Sequence, residues 1–159
     1  MSFMPKRITR KYRQTIHAAP DRIFPLLCPV REAEWLDGWD YRMIHSQCGL
    51  AEDGAVFATS LAGEEDTIWI VTLHDPVRHE VEFARFTPGS RTCTLRLEVS
   101  AIDGASSEVS VTYVYTGLTE AGNAYIERIT EMEFLKVVRF WERSMNYWLR
   151  TGTKLVEAR

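Results

Sequence analysis

Apolar and polar residues alternate strictly in RTCTLRLEVSA, residues 91 to 101. Cys93, Leu95, Leu97 and Val99 share one face of an extended strand, and Thr94, Arg96 and Glu98 share the other. SSEVSVTYVYT repeats the pattern, with Val109, Val111, Tyr113 and Tyr115 facing one way and Ser110 and Thr112 the other. RHEVEFARF places Val81, Phe83 and Arg85 in one register, against Glu80, Glu82, Ala84 and Phe86. One charged residue, Arg85, therefore falls on the apolar side. Trp69, Val71 and Leu73 alternate with the equally apolar Ile68 and Ile70, which leaves that strand's facing open. A weaker period-2 register runs through Ile8, Arg10, Tyr12, Gln14 and Ile16. Turn signals at AEDG, LAGEED, HDPVRH, TPGS and DGASS delimit strands over 41–47, 54–60, 67–73, 79–86, 91–101 and 107–116. Their connections are too short for parallel crossovers, so an antiparallel meander is expected.

Helical periodicity occupies the two remaining stretches. In AAPDRIFPLL, Pro20 suits a first helical residue and Asp21 the first turn. Pro25 and Pro29 keep that helix short, and VREAEWL gives a second short helix ending near Gly38. From Ala124 no Gly or Pro occurs until Gly152. Phe134, Val138, Trp141, Met145 and Trp148 recur there at spacings of four and three, and Phe140, Tyr147 and Leu149 widen the stripe. One continuous helix over 124–150 is predicted, with Glu127, Arg128, Glu131, Lys136, Arg139, Glu142 and Arg143 turned to water.

Composition narrows the class. A chain of 159 residues, 45% hydrophobic and 26% charged, matches a single globular domain over 1–159. A net charge of -3, with scattered basic residues, argues against nucleic acid or an acidic membrane surface as partner. No apolar run approaches the roughly 18 residues of a membrane span, and the N-terminal stretch lacks the apolar segment of a signal peptide, so no membrane insertion and a cytoplasmic location are expected. Cys28, Cys48 and Cys93 show no CxxC spacing, which predicts reduced thiols in or near the core. His74 and His79 bracket the turn HDPVRH, which an Asp-Pro turn explains without a metal, and no metal or cofactor is expected. The chain has no GxSxG, GxxxxGK[ST] or GxGxxG motif. The acidic run GEED, residues 63 to 66, reads as a solvated hairpin loop.

The order of a strand, two short helices, six antiparallel strands and a long terminal helix resembles the helix-grip fold of the START/Bet v 1-like (SRPBCC) superfamily, an α+β architecture. The likeness is carried by AAPDRIFPLLCPVREAEWLDGW, WIVTLHDPVRHEVEFARF, VTYVYTGLTEAG and FLKVVRFWERSMNYWL. It implies a curved antiparallel sheet wrapped around the terminal helix, with a hydrophobic cavity between them. It also implies binding of a lipid, polyketide or aromatic metabolite there. Two other readings remain, an enzyme of polyketide cyclase or dehydratase type and an Aha1-like protein-interaction domain; a homodimer stays open.

Such a cavity would be walled by Phe57, Trp69, Phe83, Leu95, Leu97, Tyr113 and Tyr115 from the sheet and by Phe134, Val138, Trp141 and Met145 from the helix. In EWLDGWDY, Trp35 and Trp39 would stand at its mouth on either side of Gly38; alternatively, Trp35 staples the short helix to the sheet. Arg85 would anchor an acidic head group, because a guanidinium on an apolar face is costly unless it meets an anion. Two alternatives stay open: a bulge that turns Phe86 inward, or pairing of Arg85 with Glu82 or Glu98. Polar groups for catalysis reduce to Arg85, Tyr113, Tyr115 and Thr59, with no evident inward carboxylate or histidine.

Overall fold

The computed structural model describes residues 2–157. Ten residues, Arg7–Ile16, form β1. A short helix α1, Pro20–Ile23, runs into a 3-10 turn, Phe24–Leu26, and α2 follows over Pro29–Trp35. Six strands come next: β2 Arg42–His45, β3 Val56–Thr59, β4 Thr67–Asp75, β5 Glu80–Thr87, β6 Arg91–Ala101 and β7 Ser107–Gly117. The chain closes with α3, Glu120–Glu127, and α4, Glu131–Thr151. All strand pairs are antiparallel, in the order β1-β7-β6-β5-β4-β3-β2. The sheet curves around α4.

The alternating registers set the two faces. Cys93, Leu95, Leu97, Val99, Val109, Val111, Tyr113 and Tyr115 are all buried on the concave side. Trp69 and Val71 join them, while Ile68 and Ile70 face outward, and a bulge between Val71 and Leu73 ends the regular alternation. Phe86 is 45% exposed, so no bulge turns it inward and Arg85 keeps its place beside Phe83 on the concave face.

The single long helix expected over 124–150 is two helices. The Thr130 hydroxyl accepts a hydrogen bond from the Glu133 amide, and Thr130-Glu131-Met132-Glu133 has the residue pattern of a capping box. Just before it, the Ile129 carbonyl accepts two hydrogen bonds from the Arg10 guanidinium, at 3.1 and 3.0 Å. The chain thus starts a new helix without Gly or Pro. α4 ends at Gly152, whose left-handed φ of 71° suits a residue without a Cβ.

α4 is fastened to the sheet by polar groups as well as by its apolar stripe. β1 is an edge strand with unpaired backbone groups. The Glu142 carboxylate accepts from the Thr15 amide at 2.6 Å and from the Tyr12 hydroxyl at 2.8 Å. Asn146 accepts from the His17 amide and donates to the Thr15 carbonyl. Glu142, expected to face water, is therefore structural. The Gln14 amide donates to the Val138 carbonyl at 2.9 Å within the core. At the other end, a Cβ on Gly122 would lie 1.7 Å from the Ser90 carbonyl oxygen, so α3 rests on the β5–β6 turn only because that position is glycine.

Candidate functional site

Between α4 and the strands β4 to β7 lies a cavity of about 470 Å3 that opens to solvent. Leu36 and Trp39 close it from the α2 side, and Trp69, Arg85, Tyr113 and Tyr115 form its sheet wall. Glu133, Phe134, Val137 and Trp141 come from α4, Tyr125 from the end of α3, and Arg128 and Ile129 from the break between the helices. The helix break thus contributes a stretch of cavity wall that an unbroken helix would not.

Arg85 is the polar centre of this wall. Its guanidinium donates to the Tyr115 hydroxyl at 2.9 Å. It also lies over the rings of Trp69, Tyr113 and Tyr115 at 4.9, 5.4 and 5.5 Å from their centroids. Neither carboxylate considered as an internal partner reaches it: Glu82 and Glu98 bond Arg96 on the opposite face. Burial opposes the Arg85 charge, but a guanidinium titrates so far above neutrality that it stays protonated. Burial pushes the Tyr115 phenol up to about 12 and Tyr113 well above its ordinary value, against the pull of Arg85. Both phenols are therefore neutral, and the Tyr115 hydroxyl keeps a proton to donate after accepting from Arg85.

A smaller chamber of about 270 Å3 adjoins the first and shares Trp39, Trp69, Arg85 and Tyr125 with it. Its far wall is the β3–β4 loop. Glu64 in that loop takes a two-pronged ion pair from Arg91, at 3.0 and 2.9 Å. The Arg91 guanidinium also lies 3.4 Å from the centre of the Tyr125 ring. The GEED loop is therefore not simply solvated, because Arg91 draws Glu64 inward and holds its carboxyl below the ordinary range. Thr59 faces this chamber and accepts from the Trp69 indole at 2.9 Å.

One buried carboxylate was missed, although it does not line the cavity. Glu32, on α2, is 9% exposed, and burial alone raises its carboxyl from an ordinary 4.5 to about 8.

Comparison with known protein families and with curated proteins finds no match. Solved structures do match. The Zhui aromatase/cyclase from Streptomyces sp. R1128 superposes with a TM-score of 0.65 at 11% identity, over 94% of this chain and 100% of its own. Norcoclaurine synthase from Thalictrum flavum, solved with dopamine and hydroxybenzaldehyde, gives 0.68 at 12% identity, over 98% and 91%. Ara h 8.0201 gives 0.62 at 13% identity, over 92% and 100%. The chain has the Bet v 1-like helix-grip fold.

Within that helix-grip frame, seven of the expected wall residues do line the cavity: Trp39, Trp69, Arg85, Tyr113, Tyr115, Phe134 and Trp141. The others do not. Trp35 is 1% exposed, and its indole donates to the Leu26 carbonyl, so it staples α2 to the preceding turn. Phe57 and Phe83 form a second layer behind Trp69, with ring centroids 5.2 and 6.0 Å from it. Leu95, Leu97, Val138 and Met145 are buried core. The cavity occupies one end of the concave face, and alternation cannot tell one end of a strand from the other. Trp39 stands between the chambers, its indole donating to the Pro29 carbonyl at 2.8 Å. Cys48 is exposed in a loop, contrary to expectation, while Cys28 and Cys93 are buried. His79 pairs with Asp21 at 2.8 Å, and both His74 and His79 pack on Phe24. Among the described residues no helix is long and apolar enough to cross a membrane.

Proposed function

We propose that this protein binds an aromatic or comparably apolar small molecule bearing an anionic group, with Arg85 as the anion's partner. The observation that carries the reading is Arg85 itself, a charge in an aromatic cavity that donates to a phenol, lies over three rings and, among the described residues, pairs with no carboxylate, since Glu133 in the cavity wall bonds Lys136 instead. Such a charge is costly unless a ligand supplies its complement. The flat rings of Trp39, Trp69, Tyr113 and Trp141 favour an aromatic or polyketide body over a purely aliphatic chain. Norcoclaurine synthase, of the same fold, has been solved with two small aromatic compounds.

The test is Arg85→Met, which keeps much of the volume and removes the charge. Naphthoate should bind the wild type and lose thirty-fold or more in affinity in the variant, about 2 kcal/mol. Naphthylmethanol, the matched neutral alcohol, should bind both alike. Equal losses for the two probes would reduce Arg85 to packing and sink the reading. A second reading, an enzyme of cyclase or dehydratase type working in the same cavity, is favoured by Tyr115, whose neutral hydroxyl accepts from Arg85 and keeps a proton to donate at the cavity wall.

A further inference from the structure

The concave face changes character toward the end that holds Arg85. Its inward register runs Val71, Trp69, Thr67 on β4, then Phe83, Arg85, Thr87 on β5, and Leu95, Cys93, Arg91 on β6. On β3 it passes from Phe57 to Thr59, which pairs with Thr67. Each of these strands therefore ends its apolar row on a hydrogen-bonding side chain. The Thr67 and Thr87 hydroxyls satisfy each other at 2.7 Å, and Arg91 is taken by Glu64. Thr59 is different, because its oxygen accepts from the Trp69 indole while, among the described residues, nothing accepts its hydrogen. Glu64 also keeps accepting capacity, since a carboxylate has about four lone-pair sites and Arg91 fills one on each oxygen. Thr59, Thr67, Glu64 and Arg91 line the small chamber, and Arg85 and Trp39 belong to both chambers.

We propose that the small chamber is a second compartment of the ligand site, taking a neutral hydrogen-bonding branch carried beside the ligand's anionic group. The position of the branch follows from Arg85. A carboxylate on that guanidinium sits where the two chambers meet, so a branch on the adjoining carbon can turn away from the rings and enter the smaller space. Its charge follows from Arg91. That guanidinium is already neutralised by Glu64, so a second anion finds no free partner, whereas a hydroxyl can accept from Thr59 and donate to Glu64. The ligand class is an aromatic acid with a hydroxylated branch next to its carboxylate. A site built to hydrogen-bond a hydroxyl discriminates against the analogue that lacks it, because the site's own polar groups are then left unpaired. This inference rests on the binding reading above.

The experiment titrates three probes: naphthylacetate, the same acid with an ethyl branch beside its carboxylate, and the acid with a hydroxymethyl branch in that place. The two branches have nearly the same shape. The wild type should bind the hydroxymethyl acid about five-fold more tightly than the ethyl acid. Thr59→Val, close to isosteric, should erase that preference, and Thr59→Ser should keep it. Arg85→Met should weaken all three acids alike and leave the ratio intact. Equal binding of the two branched acids by the wild type, or an unchanged ratio in Thr59→Val, overturns the inference. So does weaker binding of both branched acids than of naphthylacetate, since the chamber then does not admit the branch. In each of these cases the binding reading stands if Arg85→Met still weakens naphthylacetate. If Arg85→Met changes no affinity, the binding reading falls, and the inference with it. Thermal melting of each variant separates lost folding from lost contacts. Should Thr59→Val not fold, Thr59→Ala takes its place, and an unchanged ratio there again overturns the proposal.

Discussion

The two faces of β5 and β6 each carry an arginine, and the fold treats them in opposite ways. On the outer face, Arg96 meets Glu98, Glu80 and Glu82 at 3.1, 3.1 and 3.5 Å. On the inner face, Arg85 meets rings and a phenol. Nearby, Arg91 has Glu64 to itself. A chain that provides carboxylates for two neighbouring arginines and withholds them from the third leaves the third to something from outside. The contrast also separates what alternation controls from what it does not: it chose the face for both residues, but the partners came from strand pairing.

The comparison breaks first if the inner face tolerates charge anywhere along its length. Leu97 is 1% exposed at the solid end of that face. Leu97→Arg should cost about 3 to 5 kcal/mol in urea denaturation, because no ring stack or solvent route receives the charge. A loss below about 1 kcal/mol would mean that Arg85's position is not special.

The next largest effect is expected from Glu32 and pH. Its folded carboxyl titrates near 8 and its unfolded one near 4.5, so between these values the folded protein holds the extra proton. Stability should therefore fall as pH rises through that window, by roughly 1 kcal/mol per pH unit, and the penalty is complete above pH 8. Glu32→Gln should flatten the slope. A wild-type curve already flat between pH 5 and pH 8 would remove Glu32 from the interior.

Trp141 sharpens the contrast within α4. It is half-buried against the cavity, whereas ordinary aromatic core loses about 3 to 5 kcal/mol on truncation to Ala. Trp141→Ala should cost about 1 to 2 kcal/mol and weaken naphthoate more than it weakens the fold. A loss in the full core range with unchanged probe binding would make Trp141 plain core. The smallest effects should have opposite signs. Arg96→Met should lower stability by at most about 1 kcal/mol, in a salt-dependent way. Arg85→Met should leave the empty protein as stable as the wild type or raise its stability by about 1 kcal/mol, since it removes an unneutralised charge.

Much of the fold could be read in the sequence because alternation along β5, β6 and β7 is strict and one face is largely apolar apart from its arginines. Arg85 facing inward follows from that register alone. The division of the terminal helix did not follow, although its signal was present: absence of Gly and Pro over a long stretch outweighed a single Thr-x-x-Glu. Glu32 was hidden for a different reason. A glutamate on a seven-residue helix reads as solvent-facing, and its burial is decided by tertiary packing of α2. Glu64 and Arg91 lie 27 residues apart, and nothing local announces their meeting.

The pairing of β1 with β7 has a consequence for how the molecule assembles. Arg7 and Thr116, bonded side chain to side chain, are separated by 109 positions, so the first strand has no place to dock until nearly all of the sheet has been synthesised. The polar groups by which α4 grips β1 come later still along the chain. During translation the aromatic concave face is therefore left uncovered until the last 21-residue helix leaves the ribosome. High contact order of this kind makes folding slow relative to helical proteins of similar size. The surface that gives the finished protein its cavity is the same one a nascent chain must keep from sticking to its neighbours.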